Sequence, residues 1–241
     1  MSTFVLIHGG WHGGWCWYKV AANLEKQGHT VVAPDLPSHG RDKTPTASIS
    51  LQTYVDSVCR ILDAQAEPVV LAGHSMGGAI ITQVAEHRPD NIKILVYLSA
   101  FLLGDGASLL SVAEHDTQGS VLPNLQFNET RSIATVKENR LKEIFYADCP
   151  DEDVVLAKAL LVPQAIAPLT APVHTTQQRF GQVPRAYIEC LQDKALSPAV
   201  QKSMYTTLPC RQVVSMNTSH SPFFSAPSEL VSHLAALASE Q

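Results

Sequence analysis

The chain has 241 residues, 17 Lys and Arg against 22 Asp and Glu, and a formal net charge of -5. Hydrophobic residues make up 45% and charged residues 16%, a balance that excludes a mainly disordered chain. The acidic sign and the lack of any block of like charge argue against a nucleic-acid partner, which needs a basic patch; no apolar run reaches the roughly 20 residues that cross a bilayer, so no membrane partner is expected.

TFVLIH opens the chain as a short, continuously apolar strand, and GGWHGGWCW follows it with all three tryptophans. WYKVAANLEKQ has helical apolar spacing and stops at Gly28; HTVVAPDLP reads as a second strand, broken by proline. LQTYVDSVCRILDAQ predicts a helix, PVVLAGH a third strand, GGAIITQVAEH a helix and IKILVYLSAF a fourth strand. Each strand is a nearly continuous apolar run rather than an alternating one, the pattern of strands buried on both faces in a parallel sheet covered by helices. The rhythm breaks after Leu103. Residues 104–181 show no comparable strand and one clear helix, near DEDVVLAKALLV. It resumes with the strand PRAYIECL, a helix near PAVQKSMYTTL, the strand RQVVSMN and the closing helix PSELVSHLAALASE. Six core strands result, with a core of residues 1–103 and 182–241 and an insertion over 104–181. The insertion follows the carboxyl end of the fourth strand, where such sheets bind ligands, so a mainly helical cap over the site is expected.

Five cysteines, Cys16, Cys59, Cys149, Cys190 and Cys210, form no C-x-x-C pair, and their odd number fits reduced thiols. The N-terminus lacks a basic region followed by a cleavable apolar segment, so a cytoplasmic protein is expected.

VVLAGHSMGGA carries Gly73-His74-Ser75-Met76-Gly77, a G-x-S-x-G between strand and helix. That context makes Ser75 a candidate nucleophile, exposed on a tight turn above the sheet and facing a helix N-terminus. Neither a Gly-Lys-Ser/Thr phosphate loop nor a G-x-G-x-x-G dinucleotide loop is present. A serine hydroxyl needs a base, and the base a carboxylate to orient it; in this architecture they follow in the order Ser, acid, His. His220, between the last strand and the last helix, is the candidate base, while His233 falls inside the final helix. Asp193, directly after AYIECLQ, is the candidate acid; Glu189 lies within the strand, and Asp105, after the fourth strand, is the competitor. No H-x-H-x-D or H-E-x-x-H spacing suggests a metal site.

These residues resemble the α/β-hydrolase family, in particular its branch of plant methyl esterases and hydroxynitrile lyases, and more closely bacterial carboxylesterases of the pyrethroid-hydrolase type. FVLIHGGWHGGWCWYKV, GHTVVAPDLPSHG, LAGHSMGG, PRAYIECLQDKALSPAVQ and SHSPFFSAPSELVSHL carry the match. The resemblance implies an α/β-hydrolase fold of about six mostly parallel strands with a cap, no cofactor, a small-molecule ester substrate, and often a homodimer. With the first strand at Phe4, it also implies that the first two strands of the larger fold are missing. It supplies an oxyanion hole from the backbone N–H groups of Met76 and Gly10. The lyases of this branch carry Thr directly after the matching first-strand His, and Lys directly after the catalytic His. Here those positions are Gly9 and Ser221, which favours ester hydrolysis over cyanohydrin cleavage, and the intact set of Ser75, Asp193 and His220 argues against a purely binding receptor.

Trp11, beside Gly10, is a candidate pocket wall; Trp15 and Trp17 are expected to pack the following helix, and His12 to make a structural hydrogen bond. Leu103, Leu109, Leu110, Phe127, Phe145, Leu160 and Leu161 are candidates for either pocket or core.

Overall fold

A computed structural model describes residues 1–239, so Glu240, the last residue of the predicted closing helix, and Gln241 lie outside the described residues. Along the chain run β1 (Thr3–Ile7), α1 (Tyr18–Lys26), β2 (Thr30–Val32), α2 (Leu51–Asp63), β3 (Val69–His74), α3 (Gly77–His87) and β4 (Ile92–Leu98). Between β4 and the next long strand lie α4 (Leu109–Ala113), β5 (Leu125–Phe127), β6 (Ile133–Val136), α5 (Leu141–Phe145), α6 (Asp151–Leu160), β7 (Gln164–Ala165) and α7 (Ala167–Thr170). The chain then returns through β8 (Arg185–Cys190), α8 (Pro198–Thr207), β9 (Gln212–Met216), α9 (Pro222–Ser225) and α10 (Pro227–Ser239).

Six strands form one sheet in the order β2-β1-β3-β4-β8-β9, and every pairing in it is parallel. Alternate side chains point to opposite faces, and in the inner strands β1, β3, β4 and β8 both faces are largely buried. Val5, Ile7, Leu71, Leu95 and Tyr97 join the core under α2 and α3. Phe4, Leu6, Val70, Val96 and Ile188 join the core under α1 and α10. That two-sided burial is why the strands read as nearly continuous apolar runs.

The register lines up the strand ends. Ile7 lies opposite Gly73, Gly73 opposite Tyr97, and Leu98 opposite both His74 and Ile188. The chain therefore leaves β1, β3, β4 and β8 at one level, delivering Gly9 to Trp11, Ser75, Ser99 and Asp193 to a common edge.

The segment between β4 and β8 holds helices and also a three-stranded antiparallel sheet, in the order β5-β6-β7. The sequence showed no strand here because these strands are only 3, 4 and 2 residues long, too short for any periodicity to register. Among the described residues no helix is long and apolar enough to cross a membrane.

Candidate active site

Ser75 sits between β3 and α3 with φ of 53°, the left-handed conformation that a side chain adopts only when its surroundings impose it. Here they do. Its N–H donates to the Leu98 carbonyl, and its carbonyl accepts from Gly78 and Phe101. Gly77 follows because there is no room for a side chain: a Cβ there would fall 2.8 Å from the Ile7 carbonyl oxygen and 3.0 Å from that of His8. The turn holds Ser75 half-buried, on the wall of a cavity of about 390 Å³.

His220 lies in the loop between β9 and α9, 1% exposed. Its Nδ1–H donates to Asp193 Oδ2 at 2.7 Å. Asp193 is also buried, and its other oxygen accepts the N–H groups of Ala195 at 2.7 Å and Leu196 at 3.0 Å. Ser99, just past β4, donates its hydroxyl to Oδ2, and Gln201 Nε2 approaches the same oxygen at 3.4 Å. With Nδ1 donating, His220 carries its lone pair on Nε2, the tautomer a general base needs. Among the described residues no hydrogen bond joins the His220 ring to Ser75 Oγ; resting enzymes often leave that bond long. The two are linked through His74, the residue before Ser75, which donates from Nε2 to the His220 carbonyl at 2.8 Å with its ring 4.5 Å from that of His220.

The competing acid is elsewhere. Asp105 is exposed and faces the His174 ring and the Thr175 N–H. Glu189 accepts from Tyr205 and Ser215, and His233 faces Glu229 on the surface of α10.

Gly10, Trp11 and Met76 line the same cavity as Ser75. The Gly10 and Met76 N–H groups have no hydrogen-bond partner among the described residues. Gly9 is pressed against Ser75: a Cβ on it would lie 2.9 Å from Ser75 Cβ and 3.0 Å from His74 Nδ1. Two histidines hold the peptides around it. His8 accepts the Leu36 N–H on Nε2 at 3.1 Å and donates from Nδ1 to the Gly9 carbonyl at 2.8 Å. His12 accepts from the Tyr146 hydroxyl at 2.7 Å and donates from Nδ1 to the Gly10 carbonyl at 2.8 Å. Burial holds His8 and His74 well below the usual imidazole range and brings His12 down to about 4, so all three stay neutral next to His220.

Trp11, at φ 64°, stands against Phe145 and donates Nε1–H to the Ala134 carbonyl at 2.9 Å. Trp15 stacks on His12 and Phe224, and the buried Trp17 packs on Phe223. Of the other apolar candidates, Leu109, Leu110, Phe127 and Phe145 line the cavity. Leu103 is buried in the core, Leu160 is 38% exposed and Leu161 packs under the sheet. The cavity is mostly apolar, with Met76, Phe101 and Leu169 adding to the wall. Besides Ser75, its polar members are Glu114, Asp116 and Arg131. Asp116 is occupied by the N–H groups of Gln118, Gly119 and Ser197, and the Arg131 guanidinium lies 4.2 Å from the Phe127 ring centre. Among the described residues no group of three or more His, Cys, Asp or Glu side chains is arranged to hold a metal ion.

Four contributors escaped the sequence reading. Ser99 on Asp193 and Gln164 on Trp11 are two. Asp148 is the third, accepting the Ser219 N–H at 2.8 Å and the Ser219 hydroxyl just ahead of His220. His8 is the fourth, and only it carried a signal, as a histidine at the end of the first strand beside the glycine pair.

A parallel six-stranded sheet with a serine on the sharp turn from strand to helix defines an alpha/beta hydrolase, and the chain belongs to that family, whose model matches residues 4–233. Among its relatives it is 33% identical to a putative chloroplastic methylesterase 15 of Arabidopsis thaliana over 243 residues, 95% of this chain but 55% of that protein, so the chain spans about half of that relative's length. It is 32% identical to methylesterase 2 of the same plant, covering 98% of this chain and 95% of the relative. Among solved structures, a pyrethroid hydrolase from Sphingobium faniae superposes with a TM-score of 0.88 at 31% identity, covering 98% of this chain and 97% of that one.

Proposed function

We propose that this carboxylic ester hydrolase is a serine carboxylesterase that cleaves small hydrophobic carboxylic esters through an acyl-enzyme intermediate. The observation that carries the reading is the buried Asp193–His220 pair, hydrogen-bonded at 2.7 Å and linked through His74 to the elbow serine next to it in the chain, which lines a largely apolar cavity. Ser75 Oγ attacks the ester carbonyl while His220 Nε2 takes its proton. The N–H groups of Gly10 and Met76 receive the oxyanion, and the N-terminus of α3 adds its partial positive charge. Asp193 holds the imidazole in register and stabilises its charged form. The imidazolium gives its proton to the departing alcohol. Water then attacks the acyl-enzyme with His220 again as base, and the acid leaves Ser75.

The relatives named methylesterase and pyrethroid hydrolase support the ester class. The site disfavours the lyase reading. Gly9 has no room for the Cβ of a hydroxyl-bearing side chain unless Ser75 or His74 shifts, and Ser221 is fully buried and brings no cation to His220. Ser75→Ala is expected to abolish turnover of an activated ester while leaving the melting temperature unchanged; retained turnover overturns the mechanism. A panel of esters of varied acyl and alcohol size, with cyanide release from mandelonitrile assayed beside it, checks the class. Cyanide release faster than ester hydrolysis would reverse the assignment.

A further inference from the structure

Gly10 has no side chain to fix the direction of its N–H, so the two peptide planes on either side of it must. In the Gly9–Gly10 plane the Gly9 carbonyl and the Gly10 N–H point in opposite directions, as in any trans peptide. His8 grips that carbonyl, and His8 is itself pinned by the Leu36 N–H. This anchor belongs entirely to the sheet core. The Gly10–Trp11 plane is held at both ends. His12 donates to the Gly10 carbonyl, and the Trp11 N–H donates to Gln164 Oε1 at 3.3 Å.

Gln164 is in β7, inside the segment between β4 and β8, and is fully buried. Its carbonyl oxygen takes the Trp11 N–H and faces His39 Nε2 at 3.0 Å. Its amide nitrogen donates to the Tyr54 hydroxyl at 3.2 Å and to the Ala165 carbonyl at 2.9 Å. A backbone N–H only donates and a backbone carbonyl only accepts, so Trp11 and Ala165 fix which end of the amide is which. The amide cannot turn without losing both. Gln164 Oε1 also lies 3.3 Å from the position a Gly10 Cβ would occupy, so it bears directly on the residue whose N–H it steers. The same segment seals the next residue, since Trp11 gives Nε1–H to Ala134 and its carbonyl accepts the Val162 N–H at 2.9 Å.

We propose that Gln164 is a positioning residue for the oxyanion hole: by holding the Trp11 N–H it fixes the Gly10–Trp11 peptide plane, so that the Gly10 N–H, carried on the adjoining plane that His8 grips, cannot swing about Gly10 away from the developing oxyanion. This rests on the esterase reading above. It makes transition-state stabilisation by the core depend on a side chain from the inserted segment. Losing an interaction felt only in the transition state lowers kcat rather than raising KM.

The test compares Gln164→Met and Gln164→Asn, which take the acceptor away from the Trp11 N–H, with Gln164→Glu, which keeps an oxygen there. Each variant is titrated with a fluorophosphonate that labels Ser75, so that rates refer to competent sites. The Met and Asn variants are expected to lose about 10-fold to 100-fold in kcat per labelled site, a fraction of what removing an oxyanion donor costs, with KM within threefold. Their affinity for a trifluoromethyl ketone, which adds Ser75 to form an oxyanion, is expected to fall by the same factor as kcat/KM. The Glu variant, held neutral by burial so that one oxygen accepts the Trp11 N–H and the O–H donates to the Ala165 carbonyl, is expected to recover most of both at a pH where it stays protonated. If the Met variant does not fold, the Asn and Glu pair decides. Equal kcat per labelled site in all variants overturns the inference, as does an equal loss in Asn and Glu, which marks a purely structural amide. A parent that hydrolyses esters and labels at Ser75 while the variants match it refutes only the role of Gln164. A parent that does neither refutes the esterase reading itself.

Discussion

Asp193 divides its carboxylate between two tasks. Oδ1 closes the turn after β8 by accepting the Ala195 and Leu196 N–H groups, and Oδ2 faces His220. Asp193→Asn keeps the shape but turns an amide toward Nδ1 and so favours the wrong imidazole tautomer. A loss in kcat of about a thousandfold or more is expected, measured on purified protein with an activated ester, whereas Asp105→Asn is expected to stay within twofold of the parent. Neighbouring histidines set a pH limit of another kind. His12 is lowered from 6.5 to about 4, first by burial. Between those values the unfolded chain takes up a proton that the native protein refuses, so stability falls as pH drops through that window and the contribution is fully present above it. A shift of that size corresponds to roughly 3 kcal/mol for this one group. The urea midpoint is expected to fall from pH 7 to pH 4.5, and a flat profile would show that His12 charges inside the fold.

At the scale of elements, the turn from β3 to α3 works because α3 is driven hard against the end of β1. A Cβ at Gly77 would strike the Ile7 and His8 carbonyl oxygens at 2.8 and 3.0 Å, backbone atoms that cannot step aside as a flexible side chain could. Gly77→Ala is expected to cost about 1–3 kcal/mol by overpacking and to lower kcat as well, because the backbone it pushes leads directly into Gly9 and Gly10. Thermal melting and kcat per labelled Ser75 measure the two effects. A substitution that leaves both unchanged would show that the contact relaxes freely.

Across the whole molecule, the segment between β4 and β8 is stitched to the site from two sides. Gln164 reaches the loop after β1, and Asp148 holds Ser219, next to His220. Asp153 on α6, almost wholly buried, takes Lys19 Nζ at 2.5 Å and the Tyr18 hydroxyl at 2.8 Å, fixing the segment to α1. The segment therefore contributes contacts to the site as well as much of the cavity wall around Ser75. Asp148→Ala frees the loop that carries the base, and a drop of about tenfold in kcat with little change in KM is expected from the lost orientation. Steady-state kinetics on a protein shown to be folded by circular dichroism checks it.

The sequence by itself determined what short-range chemistry encodes. Both-face burial writes strands as nearly continuous apolar runs, and an elbow needs Gly, Ser and Gly within five residues, so the sheet, the turn and Ser75 were legible. His220 followed from chain order. The choice between Asp193 and Asp105 was open, because both follow strand ends and a linear chain does not say which one faces the histidine. Only the tertiary structure decided it, by burying Asp193 against His220 and leaving Asp105 in solvent beside His174. It also brought Gln164 and Asp148 to partners that lie 153 and 71 residues away in the chain. Their meaning comes from those distant contacts, and an isolated Gln or Asp in an irregular segment carries no local pattern that could announce them.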